Sequence, residues 1–439
     1  MNSINTVIDW LFANIIGENA IFLGIIALLG LLLQKKNERE ILTGVVKTIL
    51  GYYIFTAGSN LAISAIQIIN TVLTPSLGVE SGIVQTSGTF MIYLAEGMKY
   101  LSPRIMPLFI VSWFVHILLV RVFNKYFKAV YLTIHKALEF MCIFMIFFYS
   151  VMGWKGIMLY VPVVAFSALW WSISPMLTYK TSMEMTEGGF CLGHGNQFGA
   201  FIADKIGGFF GDPEKDDTNN LQLPGFLNIF SDSTLNLTIS MIVTFLVTWI
   251  IVVFIGNPTA LATLNESAGE YNSFVYMIIQ GFKFGAGAVI LLQGINMFLS
   301  SLVPAFQGIS EKLIPGSVPA VDCIAYFGFS PISVILSFVS YLGAGILCTV
   351  FCLIFKTPIF LFFAVPSAFF DSASIGVFAN YKGGWKAVIV VGFICGLISH
   401  IFGGVLAYSM GILAEGIAAP SIDSNFIPSI IFMIFRLFK

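Results

Sequence analysis

The sequence predicts an all-α, polytopic membrane protein with about eleven transmembrane helices. Three observations carry this. First, 58% of the 439 residues are hydrophobic and only 10% are charged, where a soluble chain carries about a quarter charged residues. Folded in water, it would expose far more apolar surface than a soluble monomer tolerates. Second, apolar runs of spanning or near-spanning length recur along the whole chain. Third, the basic residues beside short loops give one consistent orientation.

The predicted spans, in order, are Ile21–Leu33, Ile41–Ala57, Ile105–Val120, Ala137–Trp154, Ile157–Met176, Leu237–Gly256, Phe284–Phe306, Ile332–Phe355, Ile359–Phe370, Ala387–Leu413 and Phe426–Phe438. Several are short for a hydrocarbon core of about 30 Å, which implies tilted or broken helices. Lys35, Lys36 and Arg39 set the first loop in the cytoplasm and the N-terminus outside. Arg121, Lys125 and Lys128 set the end of the third span inside, and an odd number of spans brings Arg436 and Lys439 inside as well. Met1–Asp9 has no basic residue and so does not read as a cleavable signal. The six cysteines form no C-x-x-C pair and fit small core positions. A net charge of −1 without a basic run gives no reason to expect nucleic acid.

The chain reads as one membrane domain, 1–439, in two halves of about 1–211 and 223–439. Between them, 212–222 holds the one strongly polar window, Asp212–Asn220 (DPEKDDTNN), and is expected to be a cytoplasmic linker. The halves share a repeat at an offset of 236: Gly51–Ser64 aligns with Gly287–Ser300, with both glycines, the Asn and the Ser matched. About five predicted crossings separate the copies. An odd separation makes the repeats inverted, the arrangement of transporters whose site lies near the bilayer midplane.

Four stretches break the apolar pattern with Gly, Pro and polar residues. Such backbone cannot face lipid, so it must line protein or a water-filled cavity. They are Ser81–Thr89 with Thr86 and Ser87, Leu132–Glu139 with His135 and Glu139, Thr186–Phe198 with His194, Gly195, Asn196 and Gln197, and Pro315–Cys323 with Asp322. The offset carries Thr86 onto Asp322, as expected of a site built from both halves. His135 and Glu139 are four apart and share a helix face; they read either as solute ligands or as an ion pair at the cytoplasmic edge. His194 sits between glycines that allow close approach of a ligand, or simply in a polar loop at a helix entry. Asp322 is a solute ligand or a helix N-cap. His116 and His400 lie in apolar runs and read as structural. No metal-ligand spacing, P-loop or G-x-S-x-G occurs, so no cofactor, metal or catalytic residue is expected on this chain.

At these segments the sequence resembles the ascorbate-type membrane component (IIC) of the bacterial phosphoenolpyruvate-dependent sugar phosphotransferase system, from about residue 20 to about residue 415. The resemblance is carried by Lys47–Gly51 with Ala57–Ser59, Gly193-His194 with Gln197-Phe198, Leu223–Phe230, Ala305–Ser310 with Leu313–Gly316 and Asp322-Cys323, and Ile375–Asn380 with Gly383–Trp385. It implies a multi-pass inner-membrane permease with about eleven spans, inverted repeats, core and scaffold regions, an elevator-like movement, and a homodimer. It implies solute contacts at Thr86, Ser87, His135, Glu139, His194, Gly195 and Asp322, and it adds a IIB partner (charged in turn by IIA) that phosphorylates the bound sugar. The family pattern has Tyr in place of Ser87 and Gln in place of both Glu139 and Gly195, and it carries a C-terminal tail that this sequence lacks. A carboxylate at Glu139 would repel ascorbate unless His135 is protonated or Glu139 turns away. The expected function is uptake of ascorbate or a related sugar acid coupled to phosphorylation. The alternative is an H⁺- or Na⁺-coupled transporter using Glu139 and Asp322.

Overall fold

A computed structural model describes residues 19–76, 83–86, 95, 98–221, 233–254, 256–314, 316–355, 357, 360–361, 365–410, 417–418 and 421–437. The first part of the chain forms α1 (Asn19–Leu33), α2 (Glu38–Ser76), β1 (Ile83–Thr86), α3 (Ile105–Val122), β2 (Ala129–Tyr131) and α4 (Ile134–Ile146). There follow α5 (Ile157–Ile173), α6 (Tyr179–Met185), β3 (Cys191–Leu192), α7 (Gln197–Ile206), α8 (Ser233–Phe254), α9 (Pro258–Ala268) and α10 (Ser273–Leu313). The last part gives β4 (Val318–Val321), α11 (Ile324–Phe327), α12 (Pro331–Phe355), β5 (Phe360–Leu361), α13 (Val365–Met410), β6 (Ile417–Ala418) and α14 (Ile422–Arg436).

Six stretches among the described residues are helical, long and apolar enough to cross a membrane: Glu38–Gly58, Ser102–Val122, Ile134–Val151, Ile157–Leu177, Pro331–Cys352 and Ala368–Met410. Leu23–Leu33 and Met241–Phe254 are shorter apolar helices. The chain is thus an all-α polytopic membrane protein. On α5, Ile157, Val161, Leu169 and Ile173 are exposed while Leu159, Val163 and Trp171 are buried. Both faces are apolar, as lipid requires. One predicted span is corrected. Within Ile359–Phe370, Phe360–Leu361 forms β5 and a helix begins only at Val365; a short apolar run carries no periodicity that separates strand from helix.

The chain divides into two compact units, Met1–Glu80 with Leu223–Ile309, and Ser81–Gln222 with Ser310–Lys439. In the first, Asn37 and Glu40 cap α2 reciprocally: the Glu40 amide donates to Asn37 Oδ1 at 2.9 Å and the Asn37 amide to Glu40 Oε2 at 3.2 Å. The two copies of the sequence repeat lie on α2 and α10, long helices of 39 and 41 residues. These helices touch at glycine: a Cβ on Gly51 would lie 2.6 Å from the Phe298 amide nitrogen and 2.8 Å from the Gly294 carbonyl. Small residues let the two backbones meet.

In the second unit, α4 is the most enclosed helix, buried continuously from Ala137 to Ile146. A π-turn, Phe147–Val151, extends it. Phe147 stacks on Phe432 of α14 at 3.7 Å and Phe144 stacks on Phe166 of α5 at 5.1 Å. α13 is broken at Gly383 and Gly384, and Gly384 has φ +66°. Against this break lies the polar window expected to be a linker. Trp385 donates its amide to the Asp216 carbonyl at 2.8 Å, Lys386 Nζ lies 2.9 Å from Asp216 Oδ1, and Asn380 bonds Asp217 and the Thr218 amide. A side chain on Gly384 would overlap the Asp216 carbonyl. The Lys386 ammonium, helped by the Asp212 amide, holds the Asp216 carboxyl below the ordinary carboxylate value.

Six short strands complete the unit as two parallel sheets, ordered β5-β1-β6 and β2-β4-β3. Each has a central strand from one half of the sequence and edges from the other. The registers also correspond: Ile83 pairs Phe360 and Thr86 pairs Ala418, while Val318 pairs Ala129 and Val321 pairs Leu192. By this register Thr86 answers Val321, one residue short of the sequence offset of 236.

Candidate functional site

Parallel strands bring their C-terminal ends to one side. In the sheet β2-β4-β3, Tyr131 pairs Ala320 and Leu192 pairs Val321. The ladder continues past the strands, with the Leu132 amide donating to the Ala320 carbonyl at 3.0 Å and the Gly193 amide to the Val321 carbonyl at 2.7 Å. Gly193 has no room for a Cβ, which would lie 2.6 Å from the Ala320 carbonyl carbon. Asp322 is then the first residue beyond β4 and His194 the second beyond β3, while His135 sits in the first turn of the helix after β2. Their convergence follows from the pairing.

His135 Nε2 lies 3.7 Å from Asp322 Oδ2, and His194 Nε2 lies 3.9 Å from Asp322 Oδ1. The two imidazole rings meet edge to face with centroids 6.0 Å apart. His194 and Asp322 are buried, and the His135 side chain is 29% exposed, so the cluster opens on the His135 side. Separations of 3.7–3.9 Å are too long for hydrogen bonds and hold the three polar groups in van der Waals contact. α4 starts on this side, and a helix N-terminus favours oxygen-rich or anionic groups.

The other predicted residues divide. Glu139 is buried with its oxygens occupied: Lys136 Nζ lies 3.1 Å from Oε2, and Ser424 donates to Oε1 at 2.9 Å. Gly195 packs under α14, where a Cβ would overlap Ser421 Oγ, and its carbonyl accepts the Asp423 amide at 3.0 Å. Asn196 donates from Nδ2 to the Asp371 carbonyl at 2.8 Å and to Ser374 Oγ. Gln197 bonds the Leu192 carbonyl and Thr178. These two amides hold the loop. Thr86 ends β1 by its backbone pairing with Ala418, and Ser87 lies outside the described residues. Of the isolated histidines, His116 bonds Ser172 Oγ at 2.8 Å and the Tyr131 amide at 3.0 Å, and His400 bonds the Gly396 carbonyl at 2.7 Å.

Sequence reasoning missed Lys136, Asp423 and Asp371. Asp423 accepts the Gln197 and Phe198 amides at 3.0 and 2.8 Å, capping α7 from a distant helix. Asp371 is buried beside Tyr341, whose hydroxyl is 3.5 Å from Oδ2. Asp371 directly follows the apolar run that ends at Phe370, which was its available signal; Asp423, among Ser421, Ser424 and Asn425, gave none.

The family model described as the sugar-specific permease component of the PTS (phosphotransferase) system matches residues 14–423. The chain belongs to that family. As a PTS permease component it is a multi-pass protein of the bacterial cell membrane. It is 28% identical over 432 residues to the "Ascorbate-specific PTS system EIIC component" of Mycoplasma pneumoniae, an alignment covering 88% of this chain. The chain spans 64% of that relative's length.

Proposed function

We propose that this PTS permease component carries ascorbate or a related sugar acid across the cell membrane, and that a IIB partner phosphorylates the solute at the cytoplasmic face. The carrying observation is the convergence of His135, His194 and Asp322 beyond three parallel strands. The ring and carboxylate atoms replace the water around solute hydroxyls, with Thr86 and Ser87 contributing from the matching sheet and Glu139 and Gly195 supporting the pocket wall. During transfer the hydroxyl proton passes to Asp322 or His194, both beside the pocket. All six cysteines are buried, which agrees with a phosphoryl donor on IIB rather than on this chain. Added charge then keeps the product inside.

The matched registers of the two sheets and the long glycine-packed helices of the first unit support inverted repeats joined in a single membrane domain. The division into two units is what a core and a scaffold would give; eleven spans, an elevator-like movement, and homodimerisation complete the reading. The buried carboxylates Glu139, Asp371 and Asp423 around Lys136 favour a second reading, cation-coupled uptake. Vesicles containing the protein, given phosphorylated IIB and labelled ascorbate, separate the two. Phosphorylated product supports the first; gradient-driven accumulation of unmodified solute sinks it.

A further inference from the structure

We propose that His135, His194 and Asp322 also form a binding site for one divalent first-row transition-metal ion, with zinc(II) the best chemical match. The site lies in the pocket of the proposed solute but needs no sugar to exist. One ligand atom from each residue lies within 4.8 Å of the others, and all three arrive on separate segments. Asp322 offers Oδ2 to His135 and Oδ1 to His194 at 3.7 and 3.9 Å. Tetrahedral zinc ligands at about 2.0–2.1 Å from the metal stand about 3.3 Å apart, so side-chain rotations of about an ångström close the set.

The donor chemistry agrees. Two imidazoles and a carboxylate make a three-ligand set with the fourth position free, and the 29% exposure of the His135 side chain gives the set access to solvent. The Cys323 thiol lies 3.2 Å from Asp322 Oδ1, a soft group that biases the site away from magnesium and calcium. A histidine that gives Nε2 to a metal must carry its proton on Nδ1 and needs an acceptor there. His194 Nδ1 is buried without a hydrogen-bond partner among the described residues, and so is the amide oxygen of Asn196, two residues on. An amide oxygen two residues on is an acceptor of the kind that metal binding calls for. The ion and a polyhydroxy solute use the same three side chains, so zinc excludes the solute.

The test uses tag-free, chelator-stripped, full-length protein in detergent, titrated with Co²⁺ and followed by visible absorption. The expected result is saturation at one equivalent with the intense bands of four-coordinate cobalt, displaced by Zn²⁺. Asp322→Asn and His194→Gln weaken cobalt binding by at least about 100-fold, beyond the 10–100-fold cost of losing an outer-shell partner, and His400→Ala retains it. Size exclusion and circular dichroism check folding, and His135→Gln, at the open side, replaces any variant that aggregates. No band at millimolar cobalt, or a band indifferent to these substitutions, overturns the proposal. Thermal stabilisation by ascorbate in chelator tests the solute reading separately, so either can fail alone.

Discussion

Lys136 and Glu139 offer the sharpest perturbation of the polar interior. Their charges lie 3.1 Å apart, with side chains 10% and 1% exposed. At an effective dielectric of about 20 the attraction is about 5 kcal/mol, and desolvation of both ions offsets most of it. The pair is therefore worth little against an apolar replacement and much against a broken half. Lys136→Met leaves a buried carboxylate unpaired and costs about 3–5 kcal/mol. Glu139→Gln keeps a partner for Ser424 and costs about 1–3 kcal/mol. The double variant returns to within about 1 kcal/mol of the parent, a coupling of at least about 3 kcal/mol. The assay is unfolding in mixed micelles followed by tryptophan fluorescence, with ascorbate stabilisation measured on each folded variant. If the double variant is destabilised by the sum of the two single variants, the pair does not interact. If Glu139→Gln shifts ascorbate affinity more than about tenfold, the carboxylate belongs to the pocket and the geometric reasoning fails.

Asp322→Asn and His194→Ala each lower ascorbate affinity by about 10–100-fold, the loss of one charge-assisted hydrogen bond, while thermal scans show folded protein and His400→Ala binds as the parent does. Asp423→Ala removes the cap of α7 at a cost of about 0.5–2 kcal/mol and weakens solute binding through the loosened His194 loop; calorimetry finding full affinity would remove Asp423 from that role. The bond between Asp216 and Lys386 depends on the carboxylate. With the folded pKa depressed, its stabilisation is full above the ordinary carboxylate value and is lost as pH falls through the depressed one. Protease nicking at 212–220 therefore rises in acid for the parent, and Lys386→Met is nicked readily at neutral pH with a flatter pH profile. Gly384→Ala gives the same neutral-pH cleavage, because its φ of +66° disfavours a side chain and Asp216 fills the space.

Much of this was legible beforehand because lipid imposes simple rules. Apolar runs became helices, and the Gly- and Pro-broken polar stretches became the strands and loops that hold His135, His194 and Asp322 together. The pairing itself was not legible: Ala129–Tyr131, Cys191–Leu192 and Val318–Val321 are too short to show alternation and lie far apart in the chain. Glu139 shares a helix face with His135 by spacing, which leaves solute contact and an ion pair both open, and spacing says nothing about the Lys136 beside it. Asn196 and Gln197 have the right chemistry for hydroxyls, and their Nδ2 and Nε2 groups donate to nearby backbone carbonyls, which spacing does not announce. Nothing in the composition of the polar window 212–220 announces the glycine break in α13 against which it sits.

The exchange of central strands between the sheets β5-β1-β6 and β2-β4-β3 bears on biogenesis. During synthesis β2 and β3 emerge long before β4, and β1 long before β5 and β6, so each waits with unmatched amide and carbonyl groups that hydrocarbon does not forgive. The pocket can therefore close only after the ribosome has delivered β4, and the second sheet only after β6 near the end of the polypeptide, so a translation product cut short near the middle leaves the insertion machinery holding two open seams.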